Sequence, residues 1–102
     1  MRFTWDERKR KANLRDHGFD FADARRVFEG FTATYEDDRF SYGEQRFVTL
    51  GLLNGVAVSI VHLESRERIH VISFRRATRH EELFLFKSLQ NRLEARQIHE
   101  KP

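Results

Sequence analysis

Apolar residues recur along this chain in two rhythms, and the elements follow from where one gives way to the other. Phe3 and Trp5 alternate across Thr4, which suits a short edge strand or a staple onto the core. Asp6 is a good N-cap for a helix over Glu7–His17, and Gly18 a good residue to end it. That helix is thinly apolar, mainly Ala12 and Leu14, so one narrow stripe should touch the body. Asp20 can cap a second helix from Phe21 to Glu29, ended by Gly30, with Phe21, Ala24, Val27 and Phe28 at helical spacing as its buried face. The period then drops to two. Phe31, Ala33 and Tyr35 alternate with polar residues in a half-buried strand, and the polar stretch from Asp37 to Gly43 reads as a loop. Arg46 to Leu53 is the next strand. Asn54-Gly55 predicts a type I′ hairpin.

The return strand, Val56 to Leu63, is apolar on both faces and therefore central. Glu64 to Glu67 makes a second tight connection before a last strand, Ile69 to Phe74. Thr78 and Glu81 form the capping box of a C-terminal helix from about Arg79 into the nineties. Its stripe of Leu83, Phe86, Leu89 and Leu93 should cover the sheet or dock on the first helices, and residues 96–102 read as a frayed tail. Two N-terminal helices, an antiparallel meander of three to four strands and a C-terminal helix make an α+β fold. With 102 residues and no linker or repeat, the chain is one domain over 1–102.

Composition changes this picture mainly by exclusion. The chain has no cysteine, so neither a disulfide framework nor a zinc-thiolate site is open to it. Its five histidines lack ligand spacing, which leaves no metal or other cofactor expected. No long apolar run signals a membrane span or a signal peptide, so a cytoplasmic protein is the expectation. The formal charge is only +3, yet the arginines and lysines cluster, which admits a polyanionic partner. One cluster lies on the first helix (Arg8, Lys9, Arg10, Lys11, Arg15). Another brackets the last strand: Arg66 and Arg68 precede it, and Arg75, Arg76 and Arg79 follow it.

The chemistry-bearing candidates gather around that last strand. Fixed guanidinium groups at a strand-to-helix junction can hold a phosphodiester backbone. Arg75 and Arg76 should point to opposite faces, one toward phosphate and the other toward a carboxylate such as Glu81. The acid–base candidates are His62, Glu64, His70 and Glu44, with His62 and Glu64 on one face of their strand. The bland reading is a solvated basic strand with structural histidines, and residue types alone favour it. No glycine-rich phosphate loop, serine nucleophile elbow or paired-histidine motif is present.

Four ordered blocks carry a resemblance. F-x-W-D-x-x-K-x-x-x-N runs through Phe3, Trp5, Asp6, Lys9 and Asn13. H-G-x-x-F-x-x-A-x-x-x-F runs through His17, Gly18, Phe21, Ala24 and Phe28. G-E-x-R-x-x-x-x-G takes in Gly43, Glu44, Arg46 and Gly51, and R-I-x-x-I-S-x-R-x-A-x-x-x-E takes in Arg68, Ile69, Ile72, Ser73, Arg75, Ala77 and Glu81. Together they resemble the BrnT family of toxins from bacterial type II toxin–antitoxin pairs. The resemblance implies a RelE-like α+β domain and an endoribonuclease that needs no metal and arrests translation. It also implies a BrnA-like ribbon-helix-helix antitoxin that neutralises the toxin. DNA would then be met only through the antitoxin complex, as a dimer or heterotetramer, and no membrane is involved. On this basis Arg75, His70 and Glu64 are the catalytic candidates, with Arg46, Arg68, Lys9, Arg66, Arg76 and Arg79 as RNA contacts. The chain departs from the family where His70 replaces an arginine of the last strand and where Phe84 or Leu85 replaces a tyrosine of the last helix. These departures define the alternative: a catalytically weakened or inactive basic module that binds RNA or an antitoxin without cleavage. The Phe31–Tyr35 strand, if it is an edge, is a docking place for a partner.

Overall fold

A computed structural model of the chain describes residues 1–38 and 43–100, the side chains of 97–100 excepted. The elements in order are strand β1 (Arg2–Trp5), helix α1 (Glu7–His17), a 3₁₀ turn (Phe21–Asp23), helix α2 (Ala24–Phe28), strands β2 (Ala33–Asp37), β3 (Arg46–Leu53), β4 (Val56–Ser65) and β5 (Arg68–Arg76), and helix α3 (Arg79–Glu100). The strands form one sheet in the order β1-β5-β4-β3-β2. β2 to β5 are the expected antiparallel meander, with β4 central. The sheet is nonetheless mixed and five-stranded, because β1 adds to the β5 edge in parallel, Phe3 opposite Ile69 and Trp5 opposite Val71.

Local signals set the turns and caps. The Asp6 carboxylate accepts from the Lys9 N–H at 3.1 Å, and Gly18 closes α1 at φ 77°, where a Cβ would be strained. Asn54 and Gly55 both have positive φ, 50° and 79°, as a type I′ turn requires. The second helix is shorter than its pattern suggests. Asp20 caps a 3₁₀ turn through the Ala22 N–H, and only Ala24–Phe28 are α-helical. β2 begins at Ala33, two residues later than the alternation indicates, and runs on to Asp37. Of the expected loop over 37–43, residues 39–42 lie outside the described set, as do 101 and 102 of the expected tail. α3 runs from Arg79 to Glu100.

A bulge in β5 decides which residues face which way. Val71 pairs with His62 and Ser73 with Val61, so Ile72 is an extra residue with no partner on β4. Strict alternation after Ile69 and Val71 would send Ser73 and Arg75 into the core. The extra residue reverses the parity. Ile69, Val71 and Phe74 share the face covered by the 3₁₀ turn and α2, in a core with Phe21, Val27 and Ile60. Arg68, His70 and Arg75 are paired with Ser65, Leu63 and Ser59 on the other face. There α3 covers only one end, where Leu85 packs on Val48, Leu50 and Ala57.

Two close fits lock the helical layer onto the sheet. Gly51 lies under α2, and a Cβ there would meet Val27 Cγ1 at 2.6 Å. Asn13 replaces the missing continuation of β1. Its Nδ2 donates to the carbonyls of Phe74 at 2.7 Å and Phe19 at 2.9 Å, and its Oδ1 accepts from the Phe74 N–H at 3.1 Å. The polar Asn13 is therefore the buried residue of α1, while Leu14, expected on the inner stripe, is 41% exposed. Satisfying an orphaned strand backbone outweighs burying one leucine on a helix this polar.

His62, an acid–base candidate by sequence, is instead core. It is fully buried between Phe28 and Phe47, hydrogen-bonded through Nε2 to the Thr49 hydroxyl at 2.7 Å, and Thr49 in turn meets Thr34 at 2.7 Å. Glu64 does share its face, with Oε1 3.7 Å from Nδ1, too far for a hydrogen bond. Burial outweighs the opposing pull of the Leu63 backbone and pushes the imidazole down to about 4, so His62 is neutral near pH 7.

Two stability outcomes are expected. Asn13→Ala strips both polar backbone atoms of Phe74 of their partner and should cost about 2–4 kcal/mol, read as a lower urea midpoint at unchanged slope. For His62, the unfolded chain takes up the proton first on acidification, because its ordinary value of 6.5 lies above the folded value of about 4. Its contribution is whole above pH 6.5, is lost as the pH falls toward 4, and amounts to about 3 kcal/mol. Urea unfolding at pH 7 and pH 4 should show His62→Gln with a correspondingly shallower loss than the parent.

Candidate nucleic-acid interface

The residues singled out by sequence divide between the two ends of β5. Arg68 and Arg75 are seven residues apart on one strand, about 20 Å at roughly 3.3 Å per residue. The hairpin end holds Arg66, Arg68, His70 and Glu64. The helix end holds Arg75, Arg76 and Arg79.

At the hairpin end, the parallel pairing of β1 sets Arg2 directly beside Arg68, with the Arg2 N–H donating to the Glu67 carbonyl at 2.8 Å. Arg2, Arg66 and Arg68 line a shallow cleft of about 510 Å³ with Ser65 and Glu67. Sequence reasoning missed Arg2. Nothing near it in the chain signals that it will neighbour a residue of the far strand. A second cleft of about 220 Å³ brings Arg68 and His70 together with Glu64 and Glu44. His70 is half-buried, and its Nδ1 is hydrogen-bonded to the Thr4 hydroxyl at 2.8 Å. That contact orients the ring and leaves Nε2 as the nitrogen for other chemistry. Glu64 pairs with Ile69 and so leaves the sheet on the face opposite His70, meeting it only at the rim of this cleft.

At the other end, the capping box forms as expected. The Thr78 N–H donates to Glu81 Oε1 at 2.8 Å and the Glu81 N–H to Thr78 Oγ1 at 3.2 Å. The same carboxylate grips Arg75 by two parallel bonds, Nη1 to Oε1 at 2.9 Å and Nη2 to Oε2 at 3.1 Å. Nη1 also donates to the Arg76 carbonyl at 3.0 Å. Burial alone would raise the Glu81 carboxyl, but the Arg75 guanidinium and the Thr78 amide hold it below its ordinary value. Arg75 is thus the arginine that takes the carboxylate, while Arg76, paired with Val58, is exposed on the opposite face. The clamp fixes the guanidinium plane while one Nη2 hydrogen and Nε–H carry no bond to a described residue. Beside it lies a cleft of about 380 Å³ lined by Tyr35, Leu50, His80, Glu81 and Phe84, with the Tyr35 and Phe84 rings edge to face at 6.0 Å. Tyr35 and His80 were not singled out by sequence. The strand that carries Tyr35 is an edge of the sheet, the condition under which it was expected to be a docking place.

Arg46 and Lys9 remain, Arg46 reaching the hairpin-end cleft through Glu44, and Arg79 belongs to the helix end. Arg46 lies on the open face of β3, opposite Asp37, with the Glu44 carboxylate at 3.3 Å. Lys9 is exposed in the first turn of α1. Arg79 is exposed at the start of α3. Among the described residues, no group of three or more His, Asp or Glu side chains is arranged to hold a metal ion, and no helix is long and apolar enough to cross a membrane.

Comparison with known proteins bears on these clusters. A family model described as the ribonuclease toxin, BrnT, of type II toxin–antitoxin systems matches residues 5–81. The crystal structure of the Brucella abortus ribonuclease toxin BrnT superposes with a TM-score of 0.63 at 31% identity, covering 78% of this chain and 99% of its own. Comparison with curated proteins gives no match. The family match spans β1's last residue through the Arg75–Glu81 clamp, and the structural match shares the α+β architecture, so this chain belongs to the BrnT family of type II ribonuclease toxins.

Proposed function

We propose that the chain is a metal-independent endoribonuclease that cleaves RNA across the open sheet face and so arrests translation. In this reading a BrnA-like ribbon-helix-helix antitoxin neutralises it, and DNA is reached only through that complex. The observation that carries the reading is the clamped Arg75. Cleavage without a metal needs a base for the ribose 2′-OH, fixed cations for the charge that builds on phosphorus oxygens, and protonation of the leaving oxygen. A guanidinium already held in one plane loses little order when it meets that charge. The Glu81 carboxylate offsets part of its positive charge but supplies the rigidity. His70, with Nδ1 occupied by Thr4, presents Nε2 as the base, and Glu64 is the rival carboxylate at the rim of the same cleft. His70 stands four β4 positions, about 13 Å, from Arg75, so in this reading the RNA backbone lies along β5 with the linkage to be cut between them. Arg2, Arg66 and Arg68 hold the backbone at the hairpin end, and Arg46, Arg76, Arg79 and Lys9 add sequence-independent contacts.

A second reading has one observation in its favour. The Arg75–Glu81 ion pair reduces the charge available at the junction, as suits a basic module that binds RNA or antitoxin without cutting.

Purified protein incubated with RNA in chelator separates the two. Cleavage supports the nuclease, and retention without cleavage supports the binder. For the nuclease, Arg75→Ala should slow cleavage by about 10²–10³-fold and His70→Ala by about 10²–10⁴-fold. If both variants fold and cut as fast as the parent, the assignment fails. Arg66→Ala with Arg68→Ala should weaken RNA binding evenly across sequences and flatten its salt dependence, by roughly one unit of log–log slope for each phosphate no longer neutralised.

A further inference from the structure

α3 has two apolar faces, and the sheet uses only one. Leu85 is 1% exposed on the sheet, and Arg92 lies over the Phe31 ring at 5.4 Å. Leu83, Phe86 and Leu93, expected to cover the sheet, are 55%, 45% and 51% exposed. The helix meets the sheet through Glu81, Leu85 and Leu89, which lie roughly a third of a turn away from that outer row. The family-model match ends at Glu81, before the first residue of the outer row.

The outer row has the signature of a helix pair. Positions 83, 86, 90 and 93 follow the alternating three- and four-residue spacing of a seam and fall within about 80° of the helix circumference. Leu83, Phe86 and Leu93 are its apolar layers and Gln90 its one polar layer. Glu82 and Lys87 flank the seam on opposite sides. When two such helices run parallel and in register, Glu82 of each faces Lys87 of the other, and each Gln90 amide meets its own copy. An antiparallel pair centred on the same row would set Lys87 against Lys87. The row therefore complements itself in charge as well as in apolar shape, in one orientation.

We infer that α3 is a dimerisation helix, and that its outer row receives the same row of a second copy of this chain in a parallel, two-fold pair. The two sheets then hang on the outer sides of the pair, since each body lies more than a quarter turn away from the seam. The inference stands apart from the nuclease reading, because association is measured without any RNA.

The test is the mass of the full chain in solution. Sedimentation at tens of micromolar should give twice the 12.3 kDa of one chain. Phe86→Glu should raise the dimer dissociation constant at least about 30-fold, as loss of a central aromatic anchor does. The variant should stay folded, with the helicity of the parent, and its melting temperature should lose the dependence on protein concentration that a dimer shows. Glu82→Lys should weaken the pair, and Glu82→Lys combined with Lys87→Glu should restore it. Gln90→Cys, in a chain with no other cysteine, should form a disulfide-linked dimer under mild oxidation. A monomeric parent at that concentration, a dimer indifferent to Phe86→Glu, or a Gln90→Cys variant that stays unlinked overturns the inference. So does a monomeric parent whose antitoxin binding is abolished by Phe86→Glu, which would assign the row to the antitoxin.

Discussion

The extra residue in β5 is the constraint from which the rest of the molecule follows. Ile72 has no counterpart on β4, so the side-chain alternation slips by one between Val71 and Ser73. That slip lets Phe74 join Ile69 and Val71 in the core and stack on Phe19 at 5.0 Å. It also keeps Arg75 out of an apolar layer, where an unpaired guanidinium would be very costly. One unpaired backbone position therefore reconciles a core that needs aromatic volume with an open face that needs cations. Asn13 grips the backbone of Phe74 from the outside, two residues past the bulge, where β1 can no longer pair. Bulges next to functional surfaces commonly re-aim side chains in this way.

The two ends of that strand present charge differently. At the hairpin end, Arg2, Arg66 and Arg68 are exposed long side chains around a shallow cleft, suited to following a backbone. At the helix end, Arg75 is held by a carboxylate that also closes the helix cap. Glu81 thus has two duties, and helix start and arginine orientation cannot be altered separately. Rigidity there comes with partial cancellation of charge. An enzyme using this group would depend on where the guanidinium points more than on how much charge it carries.

α3 follows a different logic from the rest. Its first turn belongs to the clamp and its inner side to the sheet, yet its outer row contributes nothing to the monomer's core. Among the described side chains of this 22-residue helix only Leu85 is fully buried, and an exposed row of large apolar side chains is the kind of surface that monomers seldom keep open.

What the sequence determined by itself was local. The Asp6 cap, the Gly18 stop, the Asn54-Gly55 turn and the Thr78–Glu81 box each depend on residues within four positions of one another, so their geometry is written in adjacent letters. The strand order from β2 to β5 was legible for the same reason, since short turns leave little choice of neighbour. Tertiary structure decided what depends on distant partners. It paired β1 with β5 in parallel, 66 residues apart, which brought Arg2 to Arg68 and Thr4 to His70. It inserted the bulge, buried His62 rather than offering it for catalysis, gave the inner side of α1 to Asn13 rather than Leu14, and turned Leu85 rather than Leu83 or Phe86 inward on α3. A periodic pattern says that a face exists. Which of two apolar faces is buried depends on the volume left by the opposing layer, and that volume exists only once the chain has folded.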